Sequence, residues 1–94
     1  METSVNMVSK TDKETIIELA KKYKVESIIL FGSATEKDDA EDIDIGVRGV
    51  EPGKFFKLYG ELFRKLSKPV DLVDLSKKSL FNSLVEDNGI VIYG

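Results

Sequence analysis

The sequence predicts an α/β (α+β) fold, a small mixed β-sheet with helices packed on it. Three observations carry this. Ile43, Ile45 and Val47 alternate with Asp42, Asp44 and Gly46, which is the period of a strand with one apolar and one acidic face. Phe55, Leu58, Tyr59, Leu62, Phe63 and Leu66 recur at the spacing of one face of a helix. Short apolar runs ended by Gly or Pro intersperse with such helical stretches in the order α-β-β-α-β-α-β.

Residues 1–10 read as a loosely ordered lead-in. Thr11-Asp12-Lys13-Glu14 has the form of a capping box, and Ile16, Leu19, Ala20 and Tyr23 continue a first helix to about Lys24. Ser27 to Phe31 is an apolar run ended by Gly32, suited to a buried strand. Ala34 to Glu41 is polar and acidic and reads as a loop, followed by the alternating strand. A turn around Pro52 leads into the phenylalanine-rich helix, whose aromatic stripe reads first as core and second as an interaction face. Lys68-Pro69 breaks that helix, and Val70 to Leu75 is a third strand. Ser76 is positioned to cap a last helix with Leu80, Phe81, Leu84 and Val85 inward and Asn88-Gly89 as its stop; Ile90 to Tyr93 is a fourth strand. One domain, residues 1–94, accounts for this length.

Composition narrows the chemistry. There is no cysteine and no histidine, so thiolate zinc sites, disulfides and imidazole bases are excluded. Catalysis would run on carboxylates, hydroxyls, lysines and hard metal ions. A net charge of −3 argues against direct binding along a nucleic-acid backbone, which calls for a basic face. Met1 to Asn6 carries no basic stretch leading into an apolar run, and no apolar segment approaches the ~20 residues that span a bilayer. No membrane association and a cytoplasmic location are therefore expected.

Asp42 and Asp44 are the most informative residues. Alternate side chains on a strand share a face about 6.6 Å apart. Two carboxylates so placed repel by roughly 2–3 kcal/mol at an effective dielectric near 20. A cation between them would relieve that, and hard oxygen ligands select Mg²⁺, Mn²⁺ or Ca²⁺. The structural alternative is the solvent face of an edge strand, where charge deters aggregation. Gly32-Ser33, directly after a buried strand, adds a place where backbone can approach a phosphate closely. Alone, Gly-Ser is only a turn; joined to Asp-x-Asp at the head of the next strand it is a much rarer pattern.

Phe31-Gly32-Ser33 followed by Asp42-Ile43-Asp44-Ile45 resembles the nucleotidyltransferase motif of the polymerase-β superfamily. Val70-Asp71-Leu72-Val73-Asp74-Leu75 resembles the strand that supplies its third carboxylate, and Asn88 to Tyr93 resembles the end of the minimal nucleotidyltransferases, the MNT antitoxin type. The resemblance runs from the first helix to the last strand. It implies a polymerase-β-type fold and transfer of a nucleoside monophosphate, with ATP as donor and Mg²⁺ or Mn²⁺ as cofactor. It assigns Gly32 and Ser33 to the β- and γ-phosphates, Asp42 and Asp44 to a metal bridging them, and Asp71 to a second metal and to deprotonation of the acceptor hydroxyl. Asp71 and Asp74, three apart, face opposite sides of a regular strand, and periodicity alone does not choose between them; the family pattern favours Asp71.

The segment 34–41 is shorter than is usual between these motifs, and Ala34, Thr35 and Glu36 stand where an arginine commonly follows Gly-Ser. Glu36, Asp38, Asp39 and Glu41 add negative charge there, and Lys37 is one cation that could offset it. Three functions are therefore weighed. The first is an enzyme that adenylylates a helical HEPN-type toxin and so acts as its antitoxin. The second is a module that keeps the fold and neutralises such a partner by contact. The third is a two-subunit transferase acting on a small hydroxylated molecule. The sequence leaves a homo-oligomer open.

Overall fold

The computed structural model describes residues 8–32 and 42–94. Helix α1 spans Lys10–Lys22, strand β1 Ser27–Phe31, strand β2 Ile43–Arg48, helix α2 Phe55–Lys65 after a short 3₁₀ turn at Pro52–Lys54, strand β3 Val70–Asp74, helix α3 Leu80–Asn88 and strand β4 Ile90–Tyr93. The sheet order is β3-β2-β1-β4. β1 is antiparallel to β2 and to β4, whereas β2 and β3 run parallel. The mixed sheet and the element order expected from periodicity are both present.

Strand alternation sorts side chains onto two unequal faces. Ile28, Leu30, Ile43, Ile45, Val47, Val70, Leu72 and Ile92 pack with Ile16, Leu19 and Ala20 of α1 and Leu58 and Leu62 of α2 in the main core. On the other face a smaller cluster of Ile29, Leu75 and Val85, with Phe31 and Val73 against it, seats α3. A Cβ at Gly46 would collide with Leu75, so the absence of a side chain there is what lets Leu75 lie against the strand. Polar ties lock α1 to α2. Asp12, buried, accepts from the Ser67 backbone N–H (3.1 Å) and hydroxyl. Glu61, also buried, accepts from Lys22 Nζ (2.8 Å), Lys65 Nζ (3.0 Å) and the Tyr23 hydroxyl.

Several boundaries differ from expectation. The first helix is capped by Ser9, whose Oγ accepts from Asp12 N–H at 3.1 Å, so Ser9 and Lys10 belong to the helix and not to a loose lead-in; residues 1–7 lie outside the described part. Thr11 is inside the helix, which ends at Lys22. The last helix is capped by Ser79, not Ser76, because Ser76 is held by the Asp74 carboxylate, which accepts from both its N–H (2.9 Å) and its hydroxyl (2.7 Å). Its inner face is Asn82 and Val85; Leu80, Phe81 and Leu84 are more than half exposed. The cause is Asn82, whose amide donates to the backbone carbonyls of Asp74 and Lys77 and turns the helix to bring that side inward. In α2 the stripe divides: Leu58, Leu62 and Leu66 are buried, while Phe63 faces solvent, as does Phe56 outside the stripe.

Candidate active site

β1 delivers Phe31 and Gly32 to one end of the sheet, and β2 starts at that same end with Asp42 just before its first residue. In the antiparallel pair Phe31 lies opposite Asp44, and in the parallel pair Asp44 lies beside Asp71. Phe31, Asp44 and Asp71 therefore form one row across three strands, on the α3 face, with neighbouring backbones about 4.8 Å apart. Asp74 pairs with Val47 at the other end, where its carboxylate is occupied by Ser76. Of the two aspartates that periodicity could not separate, the register puts Asp71 beside Asp44.

Gly32 has φ +79°, in the left-handed region, and a Cβ there would overlap the Asp44 carboxylate. Both facts require glycine: the backbone turns directly over Asp44, leaving no room for a side chain. Asp44 is partly buried and Asp42 and Asp71 are exposed. The Asp44 carboxyl is held above the ordinary carboxylate range, first by burial, then by the charge of Asp71 and then by that of Asp42. The charges of Asp71 and Asp42 thus both bear on Asp44. Among the described residues no three acidic groups are drawn into a cage around one point. The donor set is nevertheless of the right kind for a hard divalent cation: carboxylate oxygens only, mutually repelling, with the most buried one destabilised as an anion. Ser33 and Lys37, like Glu36, Asp38, Asp39 and Glu41, lie outside the described residues.

Sequence reasoning missed Tyr59. It belongs to the apolar stripe by spacing, but its hydroxyl reaches the rim of the sheet, 3.3 Å from Asp71 Oδ1 and 3.3 Å from the Val70 carbonyl. A tyrosine at a core position whose tip has to find a polar partner was the available signal.

The family model described as polymerase beta, nucleotidyltransferase, matches residues 14–94, which include the whole sheet and all of the carboxylates above. The chain belongs to the polymerase-β nucleotidyltransferase family. As a nucleotidyltransferase domain it is similar to solved toxin–antitoxin structures. One is a complex of MntA with HepT, 27% identical, covering 92% of this chain and 73% of that one with a TM-score of 0.69. Another is a complex of a tri-AMPylated HEPN toxin from Shewanella oneidensis with its MNT antitoxin, 29% identical, covering 88% and 70%, TM-score 0.68. A third is a toxin–antitoxin complex with AMP-PNP, 30% identical, covering 87% and 73%, TM-score 0.68. No curated protein matches the chain.

The rest of the nucleotidyltransferase domain bears on how exposed this site is. α3 stands on the same face as the carboxylates and is tied to β2 by the Arg48–Glu86 ion pair. Among the described residues no helix is long and apolar enough to cross a membrane.

Proposed function

We propose that this nucleotidyltransferase domain moves AMP from ATP to a hydroxyl on a HEPN-type toxin and so serves as its antitoxin. The observation that carries the reading is the row of Asp44 and Asp71 beside Gly32, with Asp42 within electrostatic reach. Solved relatives that hold an AMPylated HEPN toxin, or AMP-PNP, support the choice of nucleotide and partner.

In this reading Gly32 and Ser33 bring backbone N–H groups and a hydroxyl to the β- and γ-phosphates. Asp42 and Asp44 would hold one Mg²⁺ or Mn²⁺ and Asp71 would help to hold a second. Divalent cations there supply neutralisation of the triphosphate charge and of the developing charge on the attacking and leaving oxygens. The acceptor oxygen forms a bond to the α-phosphorus, the bond from that phosphorus to the bridging oxygen breaks, and pyrophosphate leaves. A carboxylate oxygen of Asp71 takes the acceptor's proton, and the Tyr59 hydroxyl beside Oδ1 fixes the orientation of that carboxylate.

A second reading, neutralisation by contact alone, is favoured by the exposed apolar side of α3 and by the acidic segment 34–41. One titration separates the two. A HEPN-type partner is incubated with ATP, Mg²⁺ and increasing amounts of wild type or Asp42→Asn, and its activity and mass are followed. The enzymatic reading requires inactivation below equimolar ratio and a mass gain of one or more AMP groups, both lost in Asp42→Asn. Inactivation by Asp42→Asn at equimolar ratio with no added mass would establish the contact mechanism instead.

A further inference from the structure

The row of acidic residues ends in an aromatic one. Phe31 lies directly across from Asp44, so their Cβ atoms are on one face and about 5 Å apart. The ring of Phe81, from the first turn of α3, meets Phe31 edge to face at 5.8 Å between centroids with an interplanar angle of 82°. Phe81 is 53% exposed, and Leu84, one turn on, is 51% exposed. The contact with Phe31 explains where the Phe81 ring is held, but leaves half of the residue in water. Individual exposed apolar residues are ordinary; an exposed aromatic ring seated on the strand that borders the carboxylates is a more particular arrangement.

We propose that Phe81, propped on Phe31, is the stacking surface for the base of the nucleoside triphosphate. This rests on the reading that the triphosphate sits at Gly32 and the carboxylates, and it assigns the part of the ligand that the acidic row cannot hold. A base has a π face on each side and gains affinity by stacking on an aromatic ring within its reach. The carboxylates supply no such surface, and Asp71 and Asp42 border Asp44 with charge. Going from Asp44 to the adjacent strand, the sheet face changes from acidic to aromatic within one residue row. A π platform stacks any base, so the shelf contributes affinity and orientation with only weak choice among bases.

The test compares ATP with inorganic tripolyphosphate, a probe that has the charge and lacks the base. Binding of each, in Mg²⁺, is measured by calorimetry for wild type, Phe81→Ala, Phe81→Leu and Phe81→Tyr, with thermal melts to establish that each variant is folded. The shelf requires Phe81→Ala and Phe81→Leu to weaken ATP roughly tenfold, the loss of one base–aromatic stack, with tripolyphosphate unchanged. Phe81→Tyr, which keeps the π face, should retain wild-type affinity for both. If folded Phe81→Leu binds ATP as wild type does, the shelf is wrong while the phosphate site stands. Weakened capture of a HEPN-type partner by that variant would then identify the ring as protein-docking surface. If wild type binds neither probe, the nucleotide reading itself fails and the shelf falls with it.

Discussion

Replacing Asp44 by asparagine should stabilise the chain in the absence of divalent metal. Asp44 and Asp71 are adjacent across parallel strands, and their charges about 5–6 Å apart would repel by ~3 kcal/mol at an effective dielectric of 20. Asp71 is exposed, so solvent screening reduces this to about 1 kcal/mol. For a domain of this size, ~1 kcal/mol corresponds to a rise in melting temperature of roughly 4–8 °C. The sign with pH follows from the raised carboxyl of Asp44. Its folded pKa lies above the unfolded value of 3.8, so its contribution favours the fold at low pH and is lost as pH rises through the folded pKa. The gain from Asp44→Asn should therefore be absent below about pH 3.8 and grow as pH rises above it. Thermal melts followed by circular dichroism, with chelator and with millimolar Mg²⁺, measure all of this. Mg²⁺ should raise the melting temperature of wild type and leave that of Asp44→Asn nearly unchanged. A metal-free Asp44→Asn that melts lower than wild type near neutral pH would show that the carboxylate is held by something other than mutual repulsion, and the argument for a cation site would fall.

Two other changes probe the frame of the site. Gly32→Ala forces a side chain into the left-handed region and onto the Asp44 carboxylate, so it should cost at least ~1–2 kcal/mol in a denaturant titration and abolish the stabilisation by ATP and Mg²⁺; a neutral result would place the backbone differently. Glu61 has its carboxyl lowered from 4.5 to about 2 by hydrogen bonds from Lys22, Tyr23 and Lys65, so it stabilises the fold above pH 4.5 and loses that effect as pH falls towards 2. Glu61→Gln should melt lower than wild type above pH 4.5, with the gap closing through that window.

The strands were legible because each is a short apolar or alternating run closed by Gly or Pro, and their bounds differ by at most one residue from the periodic reading. That Asp44 faces away from the side of Ile43 and Ile45 was legible for the same reason, since strand period fixes which side chains share a face. What failed depended on specific hydrogen-bond partners and strand pairings that periodicity does not contain. Thr11-Glu14 and Ser9-Asp12 both have the form of a helix start, and the second prevails where Asp12 also accepts from Ser67, a contact between residues 55 apart. The orientation of α3 was misjudged because its apolar residues outnumber Asn82, yet the amide, bonded to two backbone carbonyls, sets the inward side. A buried polar group that would otherwise be unsatisfied outweighs the burial of an exposed leucine. The parallel pairing that puts Asp71, not Asp74, beside Asp44 is a register between separate segments, and periodicity contains no information about it.

The unequal faces of the sheet explain how such a small domain can tolerate a cluster of like charges. The main core joins both long helices to one face, and it contains every residue of the described part that is fully buried and large except Leu75. The opposite face is seated by three buried apolar residues with Phe31 and Val73 against them, and leaves Asp44 and Asp71 outside that cluster. Repulsion of about 1 kcal/mol on that face is then a cost that the other face can carry, and the same separation means that substitutions in the row should alter ligand response far more than they alter folding. It also accounts for α3. A helix held by Val85, an amide and one ion pair leaves Leu80, Phe81 and Leu84 more than half exposed, and its Phe81 ring meets Phe31 beside Asp44, which is the placement that the proposed stacking of a base requires.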